Sequence, residues 1–198
     1  MHLPTAYLAP ISYYAALFHS PEVVIEAHEH YVKQTLRNRC IIATGQGSQM
    51  LTVNVAKGNS PHTPITELRL SSHANWMHQH LYSLATYYGN TPFYEYYMPE
   101  LEPLFPKADQ DELPTLFSFN ESLRRKICEL IGFEPNVRYS TEWMGAPDEI
   151  AGFVAKPYYQ IAAVENNQPF LPDMSIVDLL FNMGPESIIV LRDSWNRI

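Results

Sequence analysis

The chain has 198 residues, with 21 acidic and 13 basic side chains, a net charge of −8 with its histidines neutral, and 46% apolar residues. That length and apolar content suit a single globular domain over residues 1–198 with a core of its own, and exclude a disordered tail or a coiled coil. The acidic balance excludes nonspecific partners such as nucleic acid and anionic lipid, which select an excess of Lys and Arg.

In chain order, Leu3 to Leu8 reads as a brief strand bracketed by Pro4 and Pro10, and Tyr13 to Phe18 as a short helix stopped by Ser20-Pro21. Val23-Val24-Ile25 is β-branched and too short for a helix, so it is read as a buried strand. Cys40–Thr44 and Met50–Val55 flank Gly45-Gln46-Gly47-Ser48, the punctuation of a hairpin. In the second run Leu51, Val53 and Val55 share one face. Ile65 to Leu70 is read as one more strand.

Near Ser71 the hydrophobic period changes. Met77, Leu81, Leu84 and Tyr88 recur at helical spacing until Gly89, and Leu116, Asn120, Leu123, Ile127 and Ile131 line a longer helix that stops at Gly132. Pro92 to Phe105 is aromatic and helical in pattern, 135–167 has little periodicity, and Ser175–Asn182 reads as a further helix. The expectation is an α+β fold. A mixed or antiparallel sheet from about residues 1–70 packs on helices from about 75–131, with 71–198 the helix-rich half.

Cys40 and Cys128 are too few for a disulfide framework and form no C-x-x-C pair. No Lys or Arg precedes Lys33, prolines interrupt the N-terminal segment, and no run approaches the ~18 apolar residues of a membrane span. A reduced cytoplasmic setting is expected.

The densest polar cluster is His28-Glu29-His30-Tyr31-Val32-Lys33-Gln34-Thr35-Leu36-Arg37-Asn38-Arg39. Lys33, Arg37 and Arg39 suit a phosphate or carboxylate, because guanidinium forks bind such anions bidentately and an ammonium adds a point charge. The same charges also suit a solvated connection in which Arg37 and Arg39 pair with Glu26 and Glu29. His28 and His30 point the same way on an extended segment, but no third ligand accompanies them, so no metal centre is assigned. With Glu95, set among the aromatics of Pro92–Tyr97, they are the candidates for proton transfer. Trp76 and His80 share a helix face that either lines a pocket or packs on the sheet, and Tyr94 belongs to the aromatic segment that would wall such a pocket. Asn120 falls on an apolar face and is a network member or a ligand contact. Cys40 follows a basic residue, yet an apolar strand more often holds an inert thiol. No GxxxxGK[ST], GxGxxG or GxSxG is present, and no cofactor is indicated.

Pro10-Ile11-Ser12-Tyr13-Tyr14, the 28–39 cluster, Leu51-Thr52-Val53, Asn75-Trp76 with His80, Tyr87-Tyr88-Gly89, Pro92–Tyr97 and Ser175–Asn182 resemble, in order, the WbqC-like proteins. Leu8, Leu36 and Asn54 depart from that family's pattern. The resemblance implies a bacterial protein of surface-polysaccharide or O-antigen biosynthesis. It implies an enzyme of transferase type acting on a nucleotide-activated or phosphorylated sugar, whose phosphates the basic loop would hold while aromatics stack on a sugar or base. A noncatalytic glycan- or nucleotide-binding or assembly protein of the same pathway is the alternative.

Overall fold

β1 (His2–Pro4), α1 (Ile11–His19) and β2 (Val23–Glu26) form a strand–helix–strand unit whose strands run parallel, Leu3 opposite Ile25. This computed structural model describes residues 1–56, 63–107, 110 and 112–196. Parallel strands need a crossover of a dozen or more residues, and α1 supplies it. Pro10 sets the helix entrance with φ −66°, and every residue from Ile11 to Leu17 is buried, so α1 is an interior helix. All four residues of β2 are buried too, because it is the middle strand: β5 (Val137–Tyr139) pairs on its other side, again parallel.

β3 (Arg39–Thr44) and β4 (Gly47–Thr52) form a separate antiparallel hairpin, Thr44 opposite Gly47, with Gly45-Gln46 as its two-residue loop. Cys40, Ile42 and Leu51 turn into the core while Ile41 and Met50, paired across the strands, face outward. The helices are α2 (Trp76–Tyr88), α3 (Tyr94–Leu101), α4 (Leu116–Ile131), α5 (Ile161–Glu165), α6 (Ile176–Met183) and α7 (Ser187–Asp193). In α4 the Thr115 hydroxyl accepts from the Ser118 N–H at 3.2 Å, and Gly132, at φ +90°, ends the helix by donating to the Cys128 and Glu129 carbonyls. The Tyr88 hydroxyl of α2 accepts from the Ala43 N–H of β3 at 3.0 Å, and α5 and α6 cover the same strand.

The chain is α+β, with strands chiefly early and helices chiefly late. The parallel sheet, however, takes its third strand from 137–139, inside the stretch of little periodicity. Ile65–Leu70 is a turn and not a strand: the Glu67 N–H donates back to the Pro64 carbonyl, and isolated bridges (Val55 with Leu70, Arg69 with Thr115) and the bond from the Ile65 N–H to the Glu29 carbonyl tie the segment down. The helices packed most closely on β3 are α5 and α6, from 161–183, while α2 reaches the same strand through Tyr88. Among the described residues no helix is long and apolar enough to cross a membrane.

Open parallel sheets usually bind ligands beyond the carboxyl ends of their strands. Here that edge is filled by protein. Glu26, at the end of β2, is fully buried and accepts from the Ser140 hydroxyl at 2.6 Å, the His28 N–H at 2.7 Å and the Met144 N–H at 3.0 Å, with His2 Nε2 at 3.0 Å. Burial by itself would raise the Glu26 carboxyl, but these donors together bring it below its ordinary value. The cluster is a satisfied structural network.

Candidate functional site

A cavity of about 450 Å³ opens where the 28–39 loop, the hairpin and the starts of α1 and α6 meet. Its walls are tied by backbone hydrogen bonds between distant segments. The Tyr7 N–H donates to the Leu36 carbonyl (2.9 Å), the Ser175 N–H to Ile41 (2.7 Å) and the Ile176 N–H to Ala9 (2.9 Å). Pro10, Leu36, Ile41 and Met50 make the lining largely apolar, and Arg39 and Asp173 are the charged groups in it. An apolar recess with a few convergent polar groups is the usual form of a small-molecule site.

Three residues here sit in the left-handed backbone region: Leu8 (φ 38°), Gln34 (φ 62°) and Asp173 (φ 54°). Such conformations cost about 1–3 kcal/mol each and persist where tertiary contacts over-determine them, as they do at ligand sites. Leu8 is the strongest case, being buried and without a polar side chain to offset the strain; its carbonyl is held by the Ser175 hydroxyl at 2.7 Å.

Arg39 is half-buried, forms no ion pair among the described residues, and its Nε is enclosed without a hydrogen-bond partner among them. A buried donor without a partner is costly, and the guanidinium that carries this one lines the cavity. Asp173 accepts from the Ser12 N–H (2.7 Å) and the Ser12 hydroxyl (2.8 Å) at the first turn of α1. Burial raises its carboxyl above the ordinary value, against the lowering by both Ser12 bonds. The recess therefore offers one fixed positive charge and one carboxyl of increased proton affinity. Cys40 also lines it, but burial pushes that thiol far up, which removes it as a nucleophile.

A larger cavity, about 640 Å³, lies between the second half of α4 and β5 and is lined by Arg124, Arg125, Glu129, Glu134 and Tyr139 among others. Both of its arginines are engaged by protein groups. Arg124 Nε donates to buried Glu121 at 2.8 Å and Arg125 donates to the Tyr139 hydroxyl at 2.6 Å. The carbonyl end of α4 further disfavours an anion there.

The basic loop is divided by the fold. Arg39 reaches the first cavity, and Lys33 is exposed on the same loop beside Gln34, which lines it. Arg37 does not join them, which corrects the expectation of a three-base cluster. Its Nε donates to Glu29 at 2.7 Å, a second nitrogen forms an ion pair with the other Glu29 oxygen, and the third donates to the Thr35 hydroxyl at 3.3 Å, with both charged side chains buried. The Arg37 carbonyl in turn accepts from Asn120, which fixes that residue as structural.

Trp76 and His80 are also interior. The indole N–H donates to the Ser71 carbonyl at 2.6 Å and the ring packs edge-on to His80 and Phe119. His80 Nδ1 lies 2.8 Å from the Tyr7 hydroxyl, and burial pushes the imidazole down to about 4, against a bond to the Thr52 carbonyl that raises it. Tyr94 is half-buried against Phe181. His28, His30 and Glu95 are exposed and line neither cavity, His30 being bridged to Pro64. Among the described residues no group of three His, Cys, Asp or Glu side chains is placed to hold a metal. Asp173 had no local signal: its partner Ser12 is 161 positions away.

The family model of the WbqC-like protein family matches residues 5–156, and the chain belongs to that family. It is also similar to the uncharacterized protein Rv1507c of Mycobacterium tuberculosis, at 24% identity over 86% of this chain and 87% of the relative. No solved structure matches it.

Proposed function

We propose that this protein is an enzyme of bacterial surface-polysaccharide biosynthesis that acts on a nucleotide-activated or phosphorylated sugar, with transferase chemistry at the Arg39–Asp173 cavity. The observation that carries the reading is the pairing, in one apolar recess, of an arginine whose Nε has no partner among the described residues with a carboxyl of raised proton affinity. An enzyme needs a proton-transfer group facing its anion site, whereas a binder does not. In the proposed step Arg39 holds the phosphate and Asp173 takes the proton of an acceptor hydroxyl. The acceptor oxygen forms a bond to the sugar carbon as the bond from that carbon to the phosphate oxygen breaks. The electron pair leaves on the phosphate, where the guanidinium stabilises it.

A noncatalytic binding or assembly protein is favoured by one observation: both oxygens of Asp173 are engaged by Ser12, as in a helix cap. Thermal-shift and calorimetric titrations with nucleotide sugars, sugar phosphates and inorganic phosphate test both readings. A ligand at about 100 times its Kd stabilises by roughly 2.7 kcal/mol. Arg39→Gln abolishes that shift on either reading. Asp173→Asn keeps it, and removes turnover of the nucleotide sugar only in an enzyme. Absence of any phosphate-dependent shift in the wild type would sink the anion site.

A further inference from the structure

The outer face of the hairpin continues the floor of the cavity. Arg39 and Ile41 are two apart on β3 and so project from the same face, opposite Thr52 and Met50 on β4. Leu36, Ile41 and Met50 all line the cavity, yet they are 40%, 41% and 51% exposed, while the neighbouring inward residues Cys40 and Leu51 are each 3% exposed. Single exposed apolar residues are ordinary on any surface. Three bordering one recess that also holds a guanidinium without an ion pair among the described residues make a composite surface, apolar along one side and cationic at one point. A free phosphate or bare sugar would leave that side wet, whereas covering it rewards an attached hydrocarbon.

We infer that the cavity takes an amphiphilic anion, its phosphate at Arg39 and an attached hydrocarbon chain lying along Leu36, Ile41 and Met50. The inference rests on the anion site proposed above and specifies what the anion is attached to. It makes the hairpin face a specificity element: the charge selects the head, and the two strand residues select the tail. Because Ile41 and Met50 point away from the core, their substitution alters the tail surface without opening a cavity in the fold.

Calorimetric titration of the full chain with methyl phosphate, geranyl phosphate and geraniol, at submicellar concentration, tests it. Geranyl phosphate should bind at least about tenfold more tightly than methyl phosphate, since each buried methylene is worth ~0.8 kcal/mol. Arg39→Gln should abolish binding of both phosphates. The double variant Ile41→Gln, Met50→Gln, with unchanged circular dichroism and melting, should bind both phosphates equally. If geranyl phosphate binds no better than methyl phosphate while Arg39→Gln still removes both, the tail site is overturned and the anion site stands. If neither phosphate binds, both readings fall. Geraniol binding as tightly as geranyl phosphate would reduce the surface to an apolar patch. Sedimentation showing a dimer that the double variant dissolves would make this face an interface between copies, also overturning the inference.

Discussion

Arg37 and Glu29 form a bidentate ion pair with both side chains buried, eight positions apart in the loop between β2 and β3. The pair folds the loop back on itself and, by closing it, leaves Arg39 as the arginine of this cluster that lines the cavity. Removing one partner strands the other charge in a dry site, which costs about 3–5 kcal/mol. Arg37→Ala should lower the denaturation free energy by that order. The double change Arg37→Leu, Glu29→Leu should cost distinctly less, because no unpaired charge remains. Chemical denaturation of the three variants decides this; a single variant within about 1 kcal/mol of wild type would show the pair to be dispensable.

Arg39→Gln should behave in the opposite way. Its Nε has no partner among the described residues, and the side chain is half-buried, so the folded state loses little by the change. The expected shift in unfolding free energy is within ~0.5 kcal/mol. A loss of several kcal/mol in the same denaturation series would mean that Arg39, like Arg37, is scaffolding.

His80 predicts an acid-sensitive step in stability. Its folded value of about 4 lies below the ordinary histidine range, so between about pH 6.5 and pH 4 the unfolded chain binds the proton that the folded chain refuses. The proton uptake of the unfolded state makes stability fall as the pH drops through this window, and the fall ceases below the folded value. The full effect is roughly 3 kcal/mol. The Tyr7 hydroxyl lies 2.8 Å from His80 Nδ1. His80→Gln can keep a partner for that hydroxyl while removing the titration. Its stability should be flatter across this pH range than that of wild type, measured by urea unfolding at a series of pH values; parallel curves would place the acid sensitivity elsewhere.

Cys40 and Cys128 should be slow to react. Both are free and buried, and burial raises both thiols, Cys128 to about 12. Labelling of the native protein with a small maleimide at pH 7 should track global or local opening and become fast only in denaturant. Rapid labelling of native Cys40, which lines the cavity, would show that the recess opens far wider than this structure does.

Much of the architecture follows from short-range pattern. The Gly45-Gln46 loop, the inward Leu51 and Val53, the helical period after Ser71 and the stop at Gly132 are decided by backbone permissions and side-chain spacing within one element. The charge run of 28–39 is equally plain in the sequence. What it could not reveal is the division of labour inside the run. Arg37 and Arg39 are the same residue type two positions apart, and a buried Glu29 captures one of them. Partner choice depends on which side chains the tertiary structure dries out, because pairing strength is set by local dielectric more than by proximity along the chain.

The same limit hid the third parallel strand and the acid of the site. Val137–Tyr139 is a strand because β2 offers it an edge more than a hundred positions earlier, not because of its own pattern. Asp173 reaches the cavity through Ser12, at the far end of the chain, and Trp76 and His80 are buried by Phe119 and Tyr7. Composition and period determined that this chain would be α+β and acidic, with one basic run at 33–39. Only the folded chain decided which base faces the cavity and which carboxyl faces it too, since a site is made of long-range contacts whose desolvation no local sequence window contains.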